Sequence, residues 1–223
     1  LILGTDKMLK SQRGNALFLI LIAVILFAAL SYAITQSNRS SGNTSSEVNL
    51  TASTSVVEYA SAISSGIMRM TLRGVSPSQI SFVSPDKPAF SDPDEVPYNI
   101  FHPNGGGVAY QNVDPNTVEL DTDGSPLGGW AYLDAGTGES IKNVGTSAAD
   151  IIVELFYVRK GICEQINEKL TGSKTIPSFG IGVDDIGDGQ EMTGAGIDGR
   201  AAMCVATTDN PVVYVYYQVV LEQ

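Results

Sequence analysis

The chain is short of the residues from which most active sites are built. Its 223 residues include two cysteines, one histidine and one tryptophan, and 13 basic side chains stand against 24 acidic ones. Cys163, Cys204 and His102 cannot complete a closed zinc set without carboxylates. A cysteine nucleophile paired with His102 would need a free thiolate in an electropositive pocket, which so acidic a chain does not favour. The net charge of −11 has the wrong sign for a phosphate-backbone binder, so nucleic acid is not an expected partner. No G-x-S-x-G nucleophile turn occurs, and Gly172-Ser173-Lys174-Thr175 lacks the spacing of a P-loop. The segment from Gly194 to Gly199 has the letters of a dinucleotide fingerprint, but no strand precedes it and no clear helix follows. No catalytic residue is assigned, and a non-enzymatic role is expected.

What is present is a basic, apolar beginning followed by an acidic remainder. Residues 1–73 carry six basic and three acidic side chains, and residues 74–223 carry seven and 21. From Ala16 to Ala33 the sequence reads ALFLILIAVILFAALSYA, without a charge, Gly or Pro, and the run extends through Ile34 and Thr35. Twenty helical residues reach across the roughly 30 Å hydrocarbon core of a bilayer. A transmembrane helix over 15–35 is therefore expected. Lys7, Lys10 and Arg13 before the run, against Arg39 after it, point to a short cytoplasmic leader over 1–14. The expected placement is single-pass in a bacterial cytoplasmic membrane, N-terminus inside, with the acidic part in the periplasm or outside the cell. Ser31-Tyr32-Ala33 also suits a signal-peptidase site, and an uncut signal anchor is the third possibility.

Arg13-Gly14 followed at once by the apolar helix resembles the leader of type IV pilins and pseudopilins. The resemblance implies cleavage between Gly14 and Asn15 by a prepilin-type peptidase. It also implies a helix that packs with other pilin-like subunits in a filament or secretion machine. Asn15 stands where that family usually has Phe, and Leu19 where it usually has Glu.

A polar stretch over 36–46 is expected to be a hinge. Val56, Ala60, Ile63, Ile67 and Met70 then recur at helical spacing, with Glu58, Ser61, Ser65 and Arg69 off the stripe, which predicts an amphipathic helix over 47–74. Asn38, Asn43 and Asn49 begin acceptor patterns for glycosylation, which a Ser/Thr/Asn-rich linker produces by composition. Eight of the ten prolines lie between 77 and 126, which excludes long helices there. Strands are predicted over 108–113, 117–120, 130–133 and 151–158, the last with a helical alternative. A short helix follows, carrying Ile162, Cys163, Ile166 and Leu170, and a hairpin turning at 208–211 ends in a strand over 212–221.

Cys163 and Cys204 are the only cysteines, both in the part expected outside, where oxidising conditions let disulfides persist, and they are expected to be joined. A late disulfide is also what the pilin resemblance implies. Asp184, Asp185, Asp188, Glu191 and Asp198, interleaved with glycines, form an acidic loop whose oxygen ligands would suit calcium, with a solvated loop as the simpler reading. The expected fold class is α+β: the N-terminal transmembrane helix continues into an amphipathic helix packed on a mainly antiparallel, β-rich head over 75–223, closed by one disulfide. The expected function is that of a pilin-like or pseudopilin-like structural subunit. The rival is an exported or signal-anchored binding module whose loops over 77–126 recognise an unidentified ligand.

Overall fold

The computed structural model describes residues 13–37, 41–136, 139–146 and 148–223, with side chains described over 17–32 and, within those ranges, from residue 45 onward. Its described residues form an α+β fold with three α-helices, an antiparallel sheet and one disulfide. It divides into two compact units, one up to Ser45 and one over Ser46–Gln223.

In the first unit, α1 (Arg13–Ser37) carries apolar residues on every side, so it has no distinct polar face. Among the described residues, no helix is long and apolar enough to cross a membrane. This overturns the transmembrane helix expected over 15–35, and with it the single-pass placement in a cytoplasmic membrane. Residues 1–12 of the expected leader lie outside the described residues, whereas Gly14 and Asn15 fall in the first turn of α1. Of the expected hinge, 38–40 also lie outside them; α1 runs on to Ser37, and the next helix already starts at Ser41.

That helix, α2 (Ser41–Leu72), buries Val56, Ala60, Ile63, Ile67 and Met70, the stripe read from the sequence, and adds Ala52 and Tyr59. Its end is chemically defined. The Val75 amide reaches back to the Met70 carbonyl at 3.1 Å, while Gly74 takes φ 91°, the left-handed conformation that glycine reaches without a Cβ penalty.

The central sheet has the order β1 (Trp130–Leu133), β3 (Ile151–Leu155), β6 (Tyr214–Leu221), β5 (Ala202–Ala206), with every pair antiparallel. A separate parallel pair joins β2 (Ser140–Ile141) to β4 (Glu191–Met192). Both faces of the central strands are covered, which accounts for the nearly unbroken apolar reading of β3 and β6. On one face Tyr216, Val220, Ile151, Val153 and Leu155 pack with α2, α3 (Lys160–Thr171) and the 80–108 segment. On the other, Ile152, Val215, Tyr217, Val219, Met203 and Val205 pack under a loop layer that supplies Ile141, Val144, Phe179, Met192 and Ile197.

The sequence-predicted strands over 108–113 and 117–120 do not form. Residues 107–114 contain no strand, and Val118 and Leu120 make isolated bridges to Val158 and Pro126. This stretch instead folds onto the α2 side through single anchors, with Val108 and Val118 buried. The strand expected over 151–158 stops at Leu155, and Tyr157 takes φ 59°.

Candidate functional site

Two features could bear function: the surface of α1, and a polar interior beneath the loop layer of the second unit.

Over the described part of α1 all side chains are exposed, among them Leu17, Phe18, Leu21, Ile25, Phe27 and Leu30, with Phe27 at 73%. At about 25 cal/mol per Å² of apolar area, an exposed Leu or Phe gains roughly 1.5–3 kcal/mol when another apolar surface covers it. A helix apolar on all sides can take several neighbours at once, whereas an amphipathic stripe takes one. Over 17–30 every side chain is apolar, so what this stretch can do is pack.

The cysteines are joined as expected. Cys163 on α3 and Cys204 on β5 form a disulfide with 5.4 Å between their Cα atoms, and both are fully buried. Beside it is a residue that the pattern analysis passed over. Asn167 is buried one helical turn along from Cys163; its Nδ2 donates to the carbonyls of Cys204 (2.7 Å) and Thr175 (2.9 Å), and its Oδ1 accepts from the Cys204 amide (2.8 Å). It tethers α3 to β5 independently of the sulfurs. A polar residue at the i+4 position of an apolar helical stripe was the available signal.

The proposed calcium ligands are not brought together. Asp184 and Asp185 lie in a 3-10 turn, Val183–Asp185, where Asp185 Oδ2 accepts from the Gly182 amide, while Glu191 is on β4. Asp198 is held elsewhere. The Gly194 amide and Thr193 hydroxyl donate to it and lower its pKa, and Lys142 sits 3.6 Å away. Among the described residues, no group of three or more His, Cys, Asp or Glu side chains could hold a metal ion. Each of these carboxylates instead caps local backbone or faces solvent.

His102 packs against Phe90 with ring centroids 5.1 Å apart, and its Nδ1 accepts from the Asn104 amide. Both cysteines are closed in the disulfide, so neither offers His102 a free thiol. The Gly194–Gly199 segment forms a turn leading into β5, so the fingerprint letters have no helix N-terminus behind them.

The unexpected feature is three buried acids, Glu139, Asp150 and Glu154, at 0–1% exposure. Both carboxyl oxygens of Glu139 and of Glu154, and Oδ2 of Asp150, have no hydrogen-bond partner among the described residues. Asp150 is partly satisfied, its Oδ1 accepting from the Gln223 amide at 3.1 Å. Burial raises the pKa of all three, and pushes Glu154 up to about 8, with the neighbouring Glu139 adding to it. The signal for Glu154 was a lone charge inside the apolar run Ile151–Leu155.

No protein-family model, no curated protein and no solved structure matches this chain.

Proposed function

We propose that this protein is a non-enzymatic structural subunit of the pilin-like kind. Copies associate through α1, and the acidic second unit is the surface they display. The observation that carries the reading is the surface of α1: its described side chains from Leu17 to Tyr32 are exposed, and large apolar groups lie on every side. Water contact over so much apolar area is costly. The occupant argued for is α1 of a second copy, because the Leu, Ile, Val, Ala and Phe side chains over 17–30 interdigitate with their like. The order of the parts also fits the resemblance: an Arg13-Gly14 junction, an apolar helix, an amphipathic helix, then a sheet with a late disulfide. In this reading a prepilin-type peptidase cuts after Gly14.

The test is self-association of the full chain, followed by sedimentation in a mild detergent, with the Leu21→Lys/Ile25→Lys double variant beside it. Wild type is expected to form oligomers and the variant to remain a monomer with unchanged circular dichroism. A wild-type chain that stays monomeric over the accessible concentration range would refute assembly through α1. Mass analysis of the N-terminus in native cells tests the processing step, with Asn15 expected as the first residue.

A further inference from the structure

Residues 107–113 of the second unit run past α2 without a strand partner, although Val108, Tyr110 and Val113 suit one. Their burial alternates as in an extended chain: Val108 is buried, Ala109 exposed, Tyr110 half-buried and Gln111 exposed. Of their amides, Gly107 reaches the His102 carbonyl, Val108 the Ile100 carbonyl at 3.0 Å and Gln111 the Tyr59 hydroxyl at 3.3 Å. Among the described residues, the amides of Ala109, Tyr110, Asn112 and Val113 have no hydrogen-bond partner, and neither has any carbonyl from Gly107 to Val113. Beside this row lies a groove built from two adjoining cavities. One, of about 340 Å³, is walled by α2 from Tyr59 to Arg69 and by Gly107, Ala109 and Gln111. The other, of about 570 Å³, is walled by Arg69, Leu72 and Arg73 against Pro103 and the glycines that follow it. Arg69 and Gly107 belong to both, so the groove is continuous. From Tyr59 to Leu72 the helix rises about 20 Å, the length of about six extended residues.

The groove also differs in charge from the rest of its unit. No acidic side chain occurs between Tyr59 and Arg73 or between Tyr98 and Val113, the stretches that wall it, whereas residues 74–223 as a whole carry −14. Arg69 and Arg73 are both exposed, and among the described residues neither pairs with a carboxylate. Carbonyls hold them in place instead. Arg69 Nη2 donates to the Gly106 carbonyl at 2.6 Å, and Arg73 donates to the carbonyls of Asn104, Gly105 and, through Nε, Arg69. Arg69 spends a single donor in this way, which leaves most of its planar fork for an oxyanion.

We propose that this groove binds an acidic, extended segment of a partner protein. The segment's main chain pairs with residues 108–113, its carboxylates seat on Arg69 and Arg73, and an apolar side chain covers Leu72, which is 83% exposed. Two separate observations select that chemistry. A row of unpaired amides and carbonyls suits another main chain, as at the edge of a sheet. Guanidiniums without an acidic partner suit a carboxylate or a phosphate. Free phosphate or a lipid headgroup meets only the second requirement, and an uncharged strand only the first. An acidic polypeptide meets both. The negative charge elsewhere on the unit acts on it through screened solvent, with a Debye length near 10 Å at 0.1 M salt, whereas the arginines act at hydrogen-bond distance.

Calorimetric titration of the full chain in mild detergent with an end-capped hexapeptide of alternating Val and Glu tests this, with amide exchange read by mass spectrometry. Binding is expected, and with it slower exchange over 109–113. The same peptide with Lys in place of Glu loses the charge match, and one with N-methylated amides loses its main-chain donors. Each should bind about tenfold more weakly or worse. Arg69→Gln, whose side-chain amide can still donate to the Gly106 carbonyl, should weaken the acidic peptide about tenfold while leaving exchange of the unbound chain unchanged. Should that variant misfold, the two control peptides on wild type decide the matter. No binding at millimolar peptide would overturn the proposal, as would equal binding of the Lys peptide. Binding that leaves exchange over 109–113 unaltered would reduce the groove to a simple anion site and overturn strand pairing. Exchange there that slows with the concentration of the chain alone would overturn it too, by placing a second copy in the groove.

Discussion

At the scale of the residue, single polar groups decide more than their number suggests. Glu154 has a folded pKa above its unfolded value, so the unfolded chain releases its proton first, and global stability falls as pH rises from about 4.5 to about 8. The full effect is on the order of 3–5 kcal/mol, because each pKa unit corresponds to about 1.4 kcal/mol. Glu154→Leu should remove this slope and raise Tm at pH 8.5, with little change at pH 4; thermal melts across pH check it, and a wild-type Tm independent of pH over that window would count against it. Asn167→Ala should cost about 2–4 kcal/mol in a urea titration, since it strips three hydrogen bonds and strands the buried Cys204 amide and carbonyl. Both residues were visible in the sequence as polar interruptions of apolar patterns. The partner of Asn167 was not, because Cys204 lies 37 residues away.

At the scale of the element, α3 and β5 are joined twice, by sulfur and by Asn167. The Cys163–Cys204 bridge spans 41 residues of sequence, which corresponds to about 4 kcal/mol in the chain-entropy view. Reduction, or Cys163→Ser/Cys204→Ser, should lower the urea midpoint accordingly while Asn167 keeps α3 in register, which near-ultraviolet circular dichroism can follow. α2 depends on a close approach instead. A Cβ at Gly66 would lie 2.5 Å from Val108 and 2.6 Å from Ile100, so Gly66→Ala should destabilise by about 1–3 kcal/mol despite its better helix propensity. A neutral or stabilising result in the same titration would mean that the 100–108 segment yields freely. The helices, β1 and the closing hairpin were legible because period and punctuation are local. The strands expected over 108–113 and 117–120 were misread, since Val108 and Val118 serve as single buried anchors and pairing there is limited to isolated bridges.

At the scale of the whole molecule, an apolar helix and an acidic unit act in opposite directions. Residues 74–223 carry a formal −14, so displayed surfaces on neighbouring copies repel while α1 attracts. Screening shortens that repulsion, with a Debye length near 10 Å at 0.1 M salt. Self-association of the full chain should therefore strengthen severalfold with ionic strength, and sedimentation at low and high salt measures it. Weakening with salt would point to charge pairing between copies in place of apolar packing.

The amino-acid sequence by itself determined the apolar helix, the amphipathic stripe of α2, the cysteine pairing and the uneven charge, all of which rest on composition or on contacts set by local spacing. Tertiary structure alone decided three things: that both faces of the sheet are covered, that the described His, Cys, Asp and Glu side chains gather into no group able to hold a metal ion, and that Glu139, Asp150 and Glu154 are buried. Local spacing predicts what one face of an element prefers. It does not predict which distant loop closes over that face, and closure is what turns a solvated carboxylate into a proton-binding one.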